Sequence, residues 1–261
     1  RGVEVIGCDD VDFTVLSFSR FVEKTFTHAP FKEDPDAFIA SLEEHIIKHK
    51  PEDDRPYVLI PVFRETSIIA KYKDRLSKHI TVAVPDFESI EKIHPKDNFA
   101  KTAKKLGIHI PQTWLPENEA DLKDVDFPAL IKPADDVGGR GISKVKSEDV
   151  LLKKYKQSCK AYGRPPLVQQ AVEGQDYCLA VICDQGEICA SMAYHNIRKF
   201  PIESGAGIIR ETVDDARFVK IVKPLLKEIK WHGVAEIDFM WNEKDNPSRI
   251  ERRFEFENYS K

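Results

Sequence analysis

The sequence predicts an α/β protein whose first third holds a parallel sheet and whose second half shifts to α+β, with largely antiparallel sheets. Short β-type runs alternate with helical patterns between Val3 and Leu106, which implies a parallel, Rossmann-like sheet. From Phe127 onwards, apolar runs are joined mostly by turns, which favours antiparallel pairs. The 261 residues are 41% hydrophobic and 32% charged, an ordinary globular composition that excludes disorder and collagen-like structure. A chain of this length buries a sizeable core without disulfides, and it exceeds the ~150-residue prior for one domain, so two modest domains are expected.

Val3-Glu4-Val5-Ile6 reads as the first strand, closed by Gly7-Cys8-Asp9-Asp10. Asp36 is placed to cap a helix in which Ile39, Leu42 and Ile46 recur at helical spacing. Tyr57 to Pro61 is a near-continuous apolar run, as in a strand buried on both faces. Glu65 to Leu76 reads as a helix and Ile80 to Val84 as the next strand. No GxGxxG loop supports a dinucleotide site in this third. Lys96 to Leu106 forms a further helix, with Phe99, Ala103 and Leu106 on one stripe and Gly107 as its stop. Gln112 to Asp126 reads as a turn-rich connection.

The net charge of −4 gives no basic excess, so neither nucleic acid nor a membrane is an expected partner. No apolar run approaches the roughly 18 residues of a membrane span. Five cysteines without CxxC spacing argue against a zinc site or disulfide scaffold and fit a reducing, cytoplasmic location. Cys178, Cys183 and Cys189 are expected as small core residues.

Phe127 to Pro133 is a short strand with Lys132 at its exit, and Ile142 to Val145 reads as the returning strand. Between them, Gly138-Gly139-Arg140-Gly141 lets backbone N–H groups approach an anion, although Gly-Gly also suits a plain hairpin turn. Ser147 opens a helix that ends at Tyr162 and Gly163. Leu167 to Val172 is the next strand, and Asp176 to Cys183 runs into a hairpin turn at Asp184-Gln185-Gly186. Near the end, Val234 to Trp241 and Arg249 to Glu251 flank a turn-rich stretch. A hairpin centred between Lys244 and Asp245 sets Asp238 opposite Glu251, with Cβ atoms ~5 Å apart. Two such carboxylates repel unless a cation or proton lies between them; a salt bridge to Arg249, Arg252 or Arg253 is the alternative.

Taken in order, these segments resemble the ATP-grasp superfamily along nearly the whole chain. Lys96 stands eleven residues before the glycine of Gly107-Ile108-His109-Ile110-Pro111, as in the family's lysine and "GIxxP" pair. Lys132 matches its strand-end lysine, and Gly138-Gly139-Arg140-Gly141 its phosphate loop. Gln169-Gln170-Ala171-Val172-Glu173-Gly174-Gln175-Asp176 is similar to its adenine hinge, and Asp238 and Glu251 match its metal carboxylates. The resemblance implies a Rossmann-like domain over 1–94, a small ATP-grasp subdomain over 95–167, and a metal- and adenine-binding subdomain over 168–261.

It also implies roles. Lys96 and Lys132 neutralise ATP phosphates, and the glycine loop closes over them. The Gln170 carbonyl and Val172 N–H read the adenine edge, with Gln169 accepting from the adenine amino group, while Leu130 and Met240 pack its faces. Asp176 accepts from the ribose hydroxyls. Asp238 and Glu251 hold Mg²⁺, or Mn²⁺ in its place. Arg210, in Ser204-Gly205-Ala206-Gly207-Ile208-Ile209-Arg210, stabilises an acyl phosphate, with the glycines letting substrate approach the backbone; a surface loop is the plainer reading.

Two departures stand out. Gln169 replaces the usual hinge glutamate. The family's Glu-x-Asn-Pro-Arg-Phe becomes Glu251-Arg252-Arg253-Phe254, which sets an arginine where a metal-binding Asn is usual. The Arg-Phe ending returns as if two residues were absent between Arg252 and Arg253, and a join across missing residues is expected there. Both ends also look cut: the chain opens on what resembles a second strand and stops just past the metal strand.

The resemblance implies an ATP-dependent ligase that activates a carboxylate as an acyl phosphate and couples it to an amine. The alternatives are a bicarbonate-activating enzyme of the carboxylase or carbamoyl-phosphate type, and a non-catalytic ATP-binding protein with a degraded metal site. ATP and small carboxylates and amines are the expected partners, and a homodimer the expected assembly.

Overall fold

A computed structural model describes residues 2–61, 65–134, 141–200, 206–241 and 255–257. The chain divides into two compact units, Arg1–Val84 and Pro85–Lys261.

In the first unit, β1 (Ile6–Asp9) pairs in parallel with β2 (Lys24–Thr27). Helix α1 (Pro35–Lys48) buries Phe38, Ile39, Leu42 and Ile46, the stripe expected from the spacing. Its cap is Asp34, not Asp36: the Asp34 carboxylate accepts the Ala37 N–H at 2.9 Å, and Pro35 occupies the first turn. Asp36 lies one position inside the helix and accepts the Tyr72 hydroxyl. Strand β3 (Val58–Leu59), helices α2 (Glu65–Lys71) and α3 (Lys73–Leu76), and strand β4 (Thr81–Val82) follow. Strands β3 and β4 are parallel. Burial on both faces does not hold for Tyr57 to Pro61, because Val58 is 44% and Ile60 53% exposed in a sheet of two strands among the described residues. The expected helix from Glu65 is broken at Tyr72. Parallel pairing is therefore present, but the described strands form two separate two-stranded sheets.

The second unit opens with α4 (Phe87–Glu91) and α5 (Lys96–Lys105). Gly107 has the positive φ of 63° that the stop after α5 requires. Then come β5 (Thr113–Trp114), β6 (Ala129–Lys132), β7 (Ser143–Val145), α6 (Glu148–Tyr162) and β8 (Leu167–Gln170). The strands form an antiparallel sheet of order β5-β8-β6-β7. Leu151 and Tyr155 of α6 close its core against Ala129, Ile131, Val145 and Val168.

A larger antiparallel sheet follows from β9 (Gln175–Asp184), β10 (Glu187–Phe200), β11 (Ala206–Val213), α7 (Ala216–Glu228), β12 (Gly233–Trp241) and β13 (Glu255–Glu257), in the order β11-β10-β9-β12-β13. Gln185 and Gly186 both take positive φ, the geometry that a two-residue hairpin needs. Alternation along the strands gives this sheet two unlike faces. Tyr177, Leu179, Ile237 and Phe239 are buried on one, where Phe218 of α7 packs 5.4 Å from Tyr177 and 4.8 Å from Phe239, ring centre to ring centre. Asp176, Cys178, Tyr194, Glu236, Asp238 and Met240 occupy the other.

Elements β2, α4, β5, α7 and β11 go beyond those expected from sequence. Of the three cysteines expected in the core, Cys178 and Cys183 are buried, whereas Cys189 is exposed near the start of β10. No helix among the described residues is long and apolar enough to cross a membrane.

Candidate functional site

Lys132 ends β6 with 1% exposure. Its Nζ donates to Gln169 Oε1 on the neighbouring β8 at 2.8 Å. The two side chains share a sheet face, since Leu130, two residues before Lys132, is the register partner of Gln169. Gln169 in turn donates through Nε2 to Thr113 Oγ1 at 3.0 Å, and Thr113 donates to the Pro111 carbonyl at 2.8 Å. Both ends of the Gln169 amide are thus satisfied, and a buried ammonium meets a neutral carbonyl oxygen. Thr113 is a site residue missed by the sequence reading; only its place after the "GIxxP" turn marks it.

Lys96 is the first residue of α5, and its backbone N–H donates to the Ala134 carbonyl at 3.2 Å, which ties the helix start to the chain just beyond Lys132. Gly141 has φ +68°, and a Cβ there would lie 2.7 Å from Pro133 Cγ and 2.5 Å from the Tyr162 hydroxyl. Glycine is therefore required where the loop returns against Lys132-Pro133. Gly138, Gly139 and Arg140 lie outside the described residues.

The hinge leaves β8 at Gln170, whose N–H donates to Gln112 O at 2.8 Å, while the Ala171 N–H donates to Pro128 O at 2.9 Å. The Val172 N–H has no acceptor among the described residues. Gly174 then passes so close to the end of β12 that a Cβ would lie 2.6 Å from the Trp241 carbonyl oxygen and 3.1 Å from Met240 Cγ. This approach brings the hinge to Met240. Met240 pairs in register with Asp176, whose carboxylate is ion-paired with Lys199. Lys199 has no role in the sequence reading, because its side-chain direction depends on bulges in β10 between Asn196 and Lys199.

Cys178 lies between Tyr194 of β10 and Asp238 of β12 in one row across the sheet. Its thiol donates to Asp238 Oδ1 at 2.9 Å. Burial, and then the charge of Asp238, push the thiol well above the usual thiol range, so it stays protonated. The Tyr194 hydroxyl donates to Glu236, a carboxylate with 8% exposure. Burial and this hydrogen bond raise the Tyr194 hydroxyl far above its ordinary value.

Two expectations are corrected here. In the β12–β13 register Asp238 pairs with Glu255, not Glu251. Glu251 itself, with Arg252 and Arg253, lies outside the described residues. The described part of the stretch before Arg210 is strand β11 rather than a loop. A Cβ at Gly207 would meet the end of the Asn196 side chain. Arg210 pairs with Asn196, and its guanidinium lies 4.6 Å from the Tyr194 ring centre.

Among the described residues no group of three His, Cys, Asp or Glu side chains is assembled for a metal. Mg²⁺ in nucleotide sites needs only one or two carboxylates besides the phosphates, and Asp238 is a hard oxygen donor of that kind.

Two antiparallel sheets, joined by a glycine-bearing hinge and presenting a buried lysine and a carboxylate face, define the class of the second unit. A family model for the ATP-grasp domain matches residues 93–251, and the chain belongs to the ATP-grasp family. The carbamoyl phosphate synthase large chain of Clostridium acetobutylicum is 24% identical over 222 residues, which are 78% of this chain and 20% of that one. The chain thus spans about a fifth of the length of that curated relative. Among solved structures, a biotin carboxylase–β,γ-ATP complex from Campylobacter jejuni aligns with a TM-score of 0.69 at 17% identity, over 100% of this chain and 60% of that one. An L-amino acid ligase from Bacillus licheniformis aligns with a TM-score of 0.67 at 14% identity, over 99% and 61%. At these identities the likeness shows the fold.

Proposed function

We propose that the protein is an ATP-dependent ligase that activates a carboxylate as an acyl phosphate and couples it to an amine. The observation that carries this reading is the buried Lys132 held by Gln169. An ammonium kept out of water and held in one place is preorganised for phosphate oxygens, and a fixed charge in a dry site acts more strongly than one in solvent. Lys96, tied to the same corner through Ala134, adds a second cation there. The Val172 N–H and the Gln170 carbonyl read the adenine edge, Gln169 offers its amide oxygen to the adenine amino group, and Met240 packs against the ring. Asp176 takes the ribose hydroxyls, which requires Lys199 to yield or share that carboxylate. Gly138, Gly139, Arg140 and Gly141 cover the phosphates.

Asp238 and Glu251 would hold Mg²⁺, which when bound would neutralise charge on the phosphates. The substrate carboxylate attacks the γ-phosphoryl group, ADP leaves, and the amine then displaces phosphate from the acyl carbon. Arg210 stands on the same sheet face and steadies the charge on the acyl phosphate. A homodimer is the assembly assigned to the active protein.

The test is phosphate release from ATP and Mg²⁺ with a panel of carboxylates crossed with amines. Turnover that requires both partners supports the reading, and ATP binding without release under any pair rejects it. A second reading, favoured by the likeness to carbamoyl phosphate synthase, makes bicarbonate the activated acid. Bicarbonate belongs in the same panel, and release with bicarbonate alone selects it.

A further inference from the structure

Two hydrogen-bond donors face two carboxylates on the polar side of the large sheet. Tyr194 and Cys178 are adjacent in one row, and Glu236 and Asp238 are two residues apart on β12. Each carboxylate receives a donor of its own: the tyrosine hydroxyl goes to Glu236, and the cysteine thiol goes to Asp238 Oδ1 at 2.9 Å. The two pairs differ in strength and setting. Glu236 is buried and meets a strong O–H donor. Asp238 is half-buried and meets S–H, a weak donor.

We propose that Cys178 is a positioning residue for Asp238, orienting its carboxylate to present a set oxygen to a divalent cation. The proposal rests on the reading of Asp238 as a cation ligand. A carboxylate at the end of an aspartate side chain turns about its Cβ–Cγ bond, and a donor on one oxygen fixes that rotation. The Cys178 thiol, on the neighbouring strand, sets such a donor on Oδ1. Its place is fixed by the sheet: Cys178 is buried on β9, the central strand, between the two strands that carry Tyr194 and Asp238. Tyr194 does not substitute for it, because its hydroxyl is engaged by Glu236.

Partners that orient metal ligands typically contribute about 10–100-fold to metal affinity. The test is Mn²⁺ binding to the full chain in the presence of a non-hydrolysable ATP analogue, followed by the paramagnetic resonance signal of free Mn²⁺. Cys178→Ala and Cys178→Val remove the donor, Cys178→Ser restores one, and Asp238→Asn removes the ligand. Thermal melting without cation identifies the folded variants, and either donor-free variant suffices. The expected result is Mn²⁺ affinity at least about tenfold weaker in the folded alanine or valine variant and within about threefold of the parent in the serine variant. Asparagine at 238 weakens binding further. Unchanged affinity in the donor-free variants beside a weakened Asp238→Asn overturns the positioning role and leaves the ligand reading intact. A serine variant as weak as alanine also overturns it. Unchanged affinity in Asp238→Asn removes the ligand reading and the proposal with it.

Discussion

Lys132 Nζ lies 2.8 Å from Gln169 Oε1, joining neighbouring strands of the four-stranded sheet through a charge-assisted bond to a neutral amide. A glutamate there would neutralise the lysine. Gln169 holds it in place without a charge of its own.

The first prediction concerns this pair. Gln169→Leu removes an acceptor from the buried Lys132 ammonium and the donor to Thr113. A hydrogen bond to a charged group contributes about 1.5–3 kcal/mol. Chemical denaturation should show a loss of at least that size, whereas Gln169→Glu should fold normally.

Gly174→Ala tests the hinge. The added methyl would meet the Trp241 carbonyl at 2.6 Å, a backbone atom that cannot rotate away. Overpacking of this kind costs about 1–3 kcal/mol. Nucleotide affinity should fall together with stability, because the hinge is pushed off Met240. Normal values of both would show that the hinge and the end of β12 separate freely.

Tyr194→Phe leaves the ring and its contact with Arg210 but takes the hydroxyl from buried Glu236. The expected loss is about 1–3 kcal/mol by urea denaturation. An unchanged midpoint would mean that another donor replaces the hydroxyl.

Thiol reactivity should separate the cysteines. Cys189 is exposed, whereas burial pushes the Cys8 thiol up to about 11 and the Cys183 thiol up to about 12. A chromogenic disulfide at pH 8 should label Cys189 quickly and leave Cys8 and Cys183 until the chain unfolds. Rapid labelling of Cys183 in folded protein would contradict its burial in β9.

The Glu43–Arg75 pair gives a pH signature. Two guanidinium hydrogen bonds, at 2.9 and 2.6 Å, hold the Glu43 carboxyl below its ordinary value of 4.5. A depressed acid contributes stability above its unfolded pKa and loses it as pH falls through the folded value. The parent should therefore be slightly more stable than Arg75→Ala at pH 7, and the gap should close as pH falls below 4.5. A gap that persists in acid would assign it to packing by the arginine stem.

Much of the second unit was legible in the sequence because local signals and tertiary packing agree there. The helix Lys96–Lys105 carries its own stripe and glycine stop, α6 is framed by Ser147 and Gly163, and Lys132 stands at a strand exit. What stayed hidden depends on contacts distant in sequence. Strand β5 has two residues, and only its pairing with β8 makes it a strand. Helix α7 carries Pro224 inside an amphipathic run, and the buried aromatic faces of Tyr177, Phe239 and Trp241 hold it in place. The partners of Asp176 and Asp238 follow from register and bulges, which a run of residues does not specify. In the first unit, the apolar run at Tyr57 gave no hint that β3 would pair, among the described residues, with β4 alone.

The most direct test of the central claim is calorimetric titration of ATP with Mg²⁺ into the parent chain and Lys132→Ala, with melting curves to show that both are folded. The account predicts saturable binding by the parent and at least about a tenfold loss in the variant, as removal of a charge-assisted contact worth about 1.5–3 kcal/mol requires. Equal affinity in the two folded proteins would contradict it.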